Sequence, residues 1–169
     1  MDNAWTKAST MPREYQSAAS AFHPSWGIIM NGGICYDCSD EVTLTKDAAE
    51  FYNIEPVPID GSDIGSCVAA INSNMIFTTA LKQEIGAGNE GQNKTFMYYK
   101  DLGAWVPLPD MPTSRSAVGC GVARDANGNA EVVVVGGVAG VADFTDTVEI
   151  FNVKDESWRT GEFFEQELH

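Results

Sequence analysis

Three stretches of this chain carry residue types at spacings that chemistry uses. GAGNEG (86–91) has the G-x-G-x-x-G spacing of a dinucleotide-binding turn. That chemistry needs a strand before the glycines and a helix after them, whose N-terminus meets the pyrophosphate. Here LKQEI precedes the stretch and the strand-like KTFMYY follows it, so a loop between two strands is the expectation. CYDC (35–38) has the C-x-x-C spacing of zinc and redox sites. Zinc wants four ligands, and only Asp37 and Asp40 lie close by; a redox pair sits at a helix start, whereas Cys35 and Cys38 follow two glycines in a loop. A local disulfide or two free thiols is the reading. DANGNAE (125–131) supplies part of a calcium loop but lacks its closing glutamate, and Asn127-Gly128 as a hairpin turn accounts for it.

Catalysis has little to draw on. The only histidines are His23, in the turn-like FHPSW, and the terminal His169. Nucleophile-elbow and metalloprotease patterns are absent from the sequence. The expectation is therefore a non-enzyme, with no catalytic, cofactor-binding or metal residue assigned.

The elements that would position any site come from an internal repeat. GIIMNGG (27–33), NMIFTTA (74–80) and AEVVVVGG (130–137) are apolar strands, each closed by two small residues: Gly32-Gly33, Thr79-Ala80 and Gly136-Gly137. Upstream of each stands a proline, at Pro12, Pro58 and Pro112. Downstream, VTLTKD, FMYYKD and EIFNVKD end in Lys-Asp pairs at 46–47, 100–101 and 154–155, a spacing of 54 each time. An aromatic follows each pair, at Phe51, Trp105 and Trp158. The first strand of each unit follows its proline: EYQSAASAF, GSCVAAIN and SAVGCGVAR. Four short strands repeated at a period of about 50 are the mark of a β-propeller. The valines of AEVVVVGG read as a strand covered on both faces, because no polar residue alternates with them.

These markers resemble kelch repeats: an arginine after the proline (Arg13, Arg115), a double glycine closing the second strand, an aromatic-bearing third strand and then a tryptophan. The third unit is the clearest. The second lacks both the glycines and the arginine. The resemblance covers nearly the whole chain and implies an all-β, partial kelch-type propeller. It has about three four-stranded antiparallel blades: blade I at about 12–55, blade II at about 58–109 and blade III at about 112–161. Trp5 stands seven residues before Pro12 as Trp105 does before Pro112, so residues 1–10 read as the last strand of a preceding blade, and 162–169 as a tail. Secreted invertebrate kelch-like proteins look closest around SCVAAIN and GCGVAR. Cys67 and Cys120 hold matching places in first strands, so an inter-blade disulfide and two buried thiols are both open. Some propellers of this family are copper radical oxidases. That chemistry needs several His and Tyr ligands, which two histidines cannot supply.

Three blades make an open arc, whose two apolar end faces need covering. The expectation is a protein- or ligand-binding module, half of a ring completed by a second copy or another chain. A carbohydrate-binding or enzymatic propeller domain, or a structural subunit, is the alternative. The rim loops Cys35–Asp40, Lys82–Lys94 and Val138–Asp146 vary between units and are the binding candidates, with Asp37, Asp40, Glu84, Asn89, Glu90 and Asp143 as their polar residues. A net charge of −14 argues against nucleic acid and anionic membranes and suits a basic partner. No apolar run is long enough for a membrane helix. The sequon Asn93-Lys94-Thr95 and the matched cysteines point to an extracellular setting, with the cytoplasm as alternative.

Overall fold

The computed structural model describes residues 10–11, 18–32, 42–47, 50–59, 66–80, 93–139 and 143–161. Every regular element among them is a strand. Blade I is β1 (Ala19–His23), β2 (Gly27–Asn31), β3 (Val42–Thr45) and β4 (Tyr52–Ile54). Blade II is β5 (Cys67–Asn72), β6 (Met75–Thr79), β7 (Thr95–Tyr99) and β8 (Ala104–Leu108). Blade III opens with β9 (Gly119–Arg124) and β10 (Ala130–Val135), and then inserts a small hairpin, β11 (Val138–Ala139) and β12 (Asp143–Phe144). It finishes with β13 (Val148–Asn152) and β14 (Ser157–Thr160). Each blade is an antiparallel meander whose strands lie in chain order, β11 and β12 forming a separate two-stranded sheet. Three such four-stranded meanders make a partial β-propeller.

Local chemistry sets the hairpins. In the β9–β10 turn the Asp125 carboxylate accepts hydrogen bonds from the Asn127 and Asn129 amides and from Asn129 Nδ2, each at 2.8 Å. The Asn129 side chain is the main cause that holds this carboxyl below its usual range. Gly128, at φ +81°, supplies the left-handed step the turn needs. The stretch that shares residues with a calcium loop is a hairpin turn closed by its own side chains.

The blades stack face to face. Between I and II lie Ile29, Val42 and Leu44 on one side and Val68, Ile76, Phe96, Tyr98 and Trp105 on the other. Between II and III, Cys67, Ala69, Ile71, Phe77 and Met97 meet Val132, Val134 and Phe151. The repeated tryptophans tie these layers together. Trp105 Nε1 donates to the Glu55 carbonyl at 2.7 Å, and Trp158 Nε1 donates to the Pro109 carbonyl at 2.8 Å. Each acceptor follows the last strand of the preceding blade, so one indole N–H per interface joins consecutive blades. Phe51, half-buried at the same place in blade I, has no N–H to donate.

Two expectations are corrected here. The valine run is not covered on both faces: Val132 and Val134 are fully buried against blade II, whereas Val133 is half-buried and Val135 exposed on the outward side. The strand alternates in burial although its sequence does not, because among the described residues no blade covers that face. The small-residue pairs also shift by one position in blade II. Gly32, Ala80 and Gly136 share one conformation, with φ of 62°, 58° and 63°, directly after β2, β6 and β10. Ala80, and not Thr79, therefore stands at the first-glycine position. At the second, Gly137 has φ +105°, and a Cβ there would meet the Ser116 carbonyl oxygen at 2.6 Å. The double glycine of blade III answers to both backbone twist and close approach.

Candidate functional site

The cysteines are placed first. Cys67 and Cys120 form a disulfide with a Cα–Cα distance of 5.8 Å, joining the first strands of blades II and III. The two residues are not in the same register: Cys67 faces Thr79 across its hairpin, whereas Cys120 faces Val134, one step in from the strand end. That offset puts Cys67 on the face looking toward blade III and Cys120 on the face looking back. The equivalent diagonal between blades I and II is Ala19 and Val68, both in the core there. Of the other expected site residues, Trp5, Gly33, Cys35, Asp37, Cys38, Asp40, Glu84, Asn89 and Glu90 lie outside the described residues, as does GAGNEG. Asp143 is described and exposed. Among the described residues there is no group of three His, Cys, Asp or Glu side chains able to hold a metal.

Blade III carries the best-defined loop at the rim. The segment Val138–Asp146, an irregular loop by sequence, contains the β11–β12 hairpin, with Val138 opposite Phe144 and Ala139 opposite Asp143. Its mounting is built on Arg115, which is completely buried. Arg115 Nη1 donates to the Gly136 carbonyl at 2.9 Å and to the Thr147 carbonyl at 2.6 Å, one on each stem of the hairpin. Its Nη2 donates to the Val134 carbonyl at 3.3 Å and to Glu149 Oε2 at 3.0 Å. Thr113 Oγ1 donates to the other Glu149 oxygen at 2.8 Å. Burial pushes the Arg115 guanidinium downward in pKa, and the Glu149 carboxylate works against that shift. The ion pair thus lies inside one blade. Sequence alone places Arg115 in structural ion pairing but gives no partner, since Glu149 sits in a strand, VEIFN, whose alternation makes it an inward position.

The two ends of the arc differ in texture. Blade I turns Phe22, 72% exposed, and Ile28 outward, paired across β1 and β2. Blade III turns outward a face of small residues, where Gly119, Gly121, Ala123, Val133 and Val135 line a shallow recess of about 350 Å³. Farther out on that face Arg159 and Glu131 pair at 2.8 Å.

A second recess, about 260 Å³, lies on blade I between Trp26, Leu44, Lys46 and Tyr52. Trp26 is held edge-on to Tyr98, with His23 stacked on it at 4.2 Å and Lys100 Nζ 5.3 Å from the ring centroid. His23 is the last residue of β1 and fully buried. Its Nδ1 accepts from the Ser25 and Trp26 amides at 3.0 and 3.2 Å. Burial lowers its pKa first of all; the Asn72 backbone acts the other way and Lys100 adds to the lowering. A neutral ring that closes a turn is a structural histidine. The sequence signal for this recess is slight: aromatics at 26 and 52 come from different hairpins and meet only in the folded blade.

Compared with known proteins, residues 128–162 match the Kelch motif, which runs from the β9–β10 turn to the end of β14. No curated protein matches the chain. That stretch holds the double glycine, the buried Glu149 and the Trp158 tie, and the same strand order recurs in the two blades before it. Blade III therefore carries a Kelch motif, on a scaffold whose other two blades share its strand order.

Proposed function

We propose that the chain is a protein-interaction module, an arc of three kelch blades that works within a ring completed by a second copy or another chain. The observation that carries this reading is the pair of unlike apolar end faces. Blade I projects Phe22 and Ile28, and blade III offers a recess floored by Gly119 and Gly121. Large side chains meeting small ones is how layers interdigitate. Exposed apolar surface at both ends of a stack is uncommon on a protein that works alone.

The rim loops then present the contact surface, and the acidic balance selects a basic partner. The role is binding and not catalysis. The Cys67–Cys120 disulfide supports an extracellular or otherwise oxidising setting. The aromatic recess at Trp26 and Tyr52 favours a second reading, a small ligand or sugar bound at the edge of blade I.

Light scattering on the eluting protein tests ring completion. A two-subunit mass that falls to one subunit with Phe22→Asp is the expected result for closure by a second copy. A monomer unaffected by Phe22→Asp, with no change in solubility, overturns self-closure.

A further inference from the structure

We propose that the β11–β12 hairpin of blade III is a docking element that inserts Phe144 into an apolar socket, rimmed by Lys and Arg, on a partner protein. The proposal rests on the interaction-module reading and names the residue and the partner's chemistry. Phe144 is 88% exposed, more so than any other large apolar residue among the described ones, Phe22 and Leu102 included. An aromatic ring in water at a hairpin end gains nothing for the fold. Aromatic side chains are enriched in the buried cores of protein interfaces, where a few anchors carry most of the affinity.

Exposure alone is common on loops; what sets this residue apart is how firmly the chain beneath it is held. The stems are closed by Gly136 N–H donating to the Thr147 carbonyl at 3.1 Å and Thr145 N–H donating to the Gly137 carbonyl at 3.1 Å. Ser116 and Val138 exchange backbone hydrogen bonds at 3.0 and 2.8 Å, which fasten β11 to the chain leading into β9. Below them the buried Arg115 holds both stem carbonyls, and Glu149 and Thr113 hold Arg115 in turn. Thr145 and Thr147 hydroxyls, 2.6 Å apart, brace the return stem next to Phe144. A buried ion pair set at the two roots of one hairpin orients that hairpin in advance, and a pre-oriented anchor loses little entropy on binding.

The charge around the ring gives the partner's character. Asp143 and Asp146 flank Phe144 and are exposed, and the whole chain carries −14. A socket with an acidic rim would be repelled, whereas one with Lys or Arg at its rim gains in encounter rate and register. The apolar floor and the basic rim must come together.

A phage-displayed library of random peptides, panned on the intact protein, tests this. Selected peptides are synthesised and their binding is measured by fluorescence anisotropy. The expected peptides combine aliphatic or aromatic residues with Lys or Arg. They bind Phe144→Ala about tenfold or more weakly and bind Leu102→Ala, at an exposed apolar residue of the β7–β8 turn, as they bind wild type. Asp143→Asn/Asp146→Asn flattens the dependence of their affinity on salt. Phe144→Ala keeps the wild-type melting temperature and solution mass, since the ring packs on little.

Peptides that bind Phe144→Ala undiminished overturn the hairpin assignment and leave the interaction module standing. A library that yields no specific binder on wild type or variants overturns both. A fall in solution mass with Phe144→Ala shows the ring seated in a second copy, and overturns the assignment to a basic partner.

Discussion

The interface between blades I and II and the interface between blades II and III are built to one plan and held by different means. Both pack an inner core from facing strands, and both carry an indole N–H from the later blade to a carbonyl just past the earlier one. The second adds a disulfide between first strands and a cluster in which Phe77, Phe151 and Trp158 lie 5.1–6.1 Å apart. The first has Ala19 and Val68 where the cysteines would be, and a buried hydrogen bond from Asn31 Nδ2 to Thr78 Oγ1 at 2.9 Å. The difference separates what the propeller requires from what this chain has added. The indole tie and the apolar layers recur, so they belong to the plan. The covalent link joins the two blades at one of these interfaces, next to the blade that carries the mounted hairpin, and stiffens that half of the arc.

Breaking the disulfide should disturb that contrast most. It closes a loop of 53 residues, for which chain entropy gives about 4 kcal/mol. Cys67→Ala/Cys120→Ala is expected to lower stability by roughly 2–4 kcal/mol in urea titrations, with dithiothreitol lowering wild type by at least as much. The contrast is sharpened by moving the bond. Ala19→Cys/Val68→Cys places two thiols on the equivalent diagonal, and a new disulfide on non-reducing mass analysis is the expected outcome. Free thiols there would mean that the two interfaces differ in geometry as well as in sequence.

The indole ties rank next. Trp105 is buried, so Trp105→Phe leaves the Glu55 carbonyl without its donor where water is scarce, at a cost of about 1–3 kcal/mol. Trp158 is half-buried, and Trp158→Phe lets water reach the Pro109 carbonyl; a loss nearer 1 kcal/mol is expected. Equal losses from the two variants, in matched thermal or urea unfolding, would contradict the idea that burial grades a common tie.

How much of this is legible in the sequence follows from what a repeat can encode. Lys46-Asp47, Lys100-Asp101 and Lys154-Asp155 mark turns, and turns follow local rules, so strand number and order can be read. The pair Thr79-Ala80 reads one step out of place because a small residue in the left-handed region looks like any other small residue; only φ distinguishes Ala80 from Thr79. Val132 to Val135 look alike, but two face a blade and two face outward, a property of the neighbours and not of the strand. The Cys67–Cys120 bond depends on an inter-strand distance that linear spacing does not contain. Glu149 and Phe144 escape a sequence reading for opposite reasons. One is a charge hidden in a strand where pairing is invisible in sequence, the other an apolar residue whose exposure shows only once the hairpin forms.

Blade closure gives a smaller contrast, between Ala80 in blade II and Gly136 in blade III. A left-handed conformation costs a residue with Cβ about 1–2 kcal/mol. Ala80→Gly removes that strain but adds freedom to the unfolded chain and strips a buried methyl, each worth roughly 0.5–1 kcal/mol. The expected net change is within about 1 kcal/mol of zero. Gly136→Ala incurs the strain, offset in part by the lower freedom of the unfolded chain, and its Cβ would sit 3.6 Å from the Thr145 carbonyl oxygen, an ordinary contact that adds no clash. A loss of about 0.5–1 kcal/mol in thermal unfolding is expected. A large gain from Ala80→Gly would mean that blade II was strained well beyond its φ.

The smallest effect is on pH, and it lies at the first interface. His23 has its pKa lowered in the fold, so the unfolded chain takes up the proton first as pH falls. Its contribution is therefore complete above the ordinary histidine pKa of about 6.5, and it is lost as pH drops below that value toward the lowered pKa of the folded state. Protonating Nδ1 also removes the acceptor for the Ser25 and Trp26 amides, so acid should loosen the β1–β2 turn and the stack on Trp26 together. Melting temperature measured across this range should decline more steeply for wild type than for His23→Phe, and Trp26 fluorescence should change before global unfolding. Parallel declines would remove His23 from the account and leave the acid sensitivity of the first interface to other groups. Because the disulfide lies in the second interface, the same titration on Cys67→Ala/Cys120→Ala should keep its shape and shift only in height.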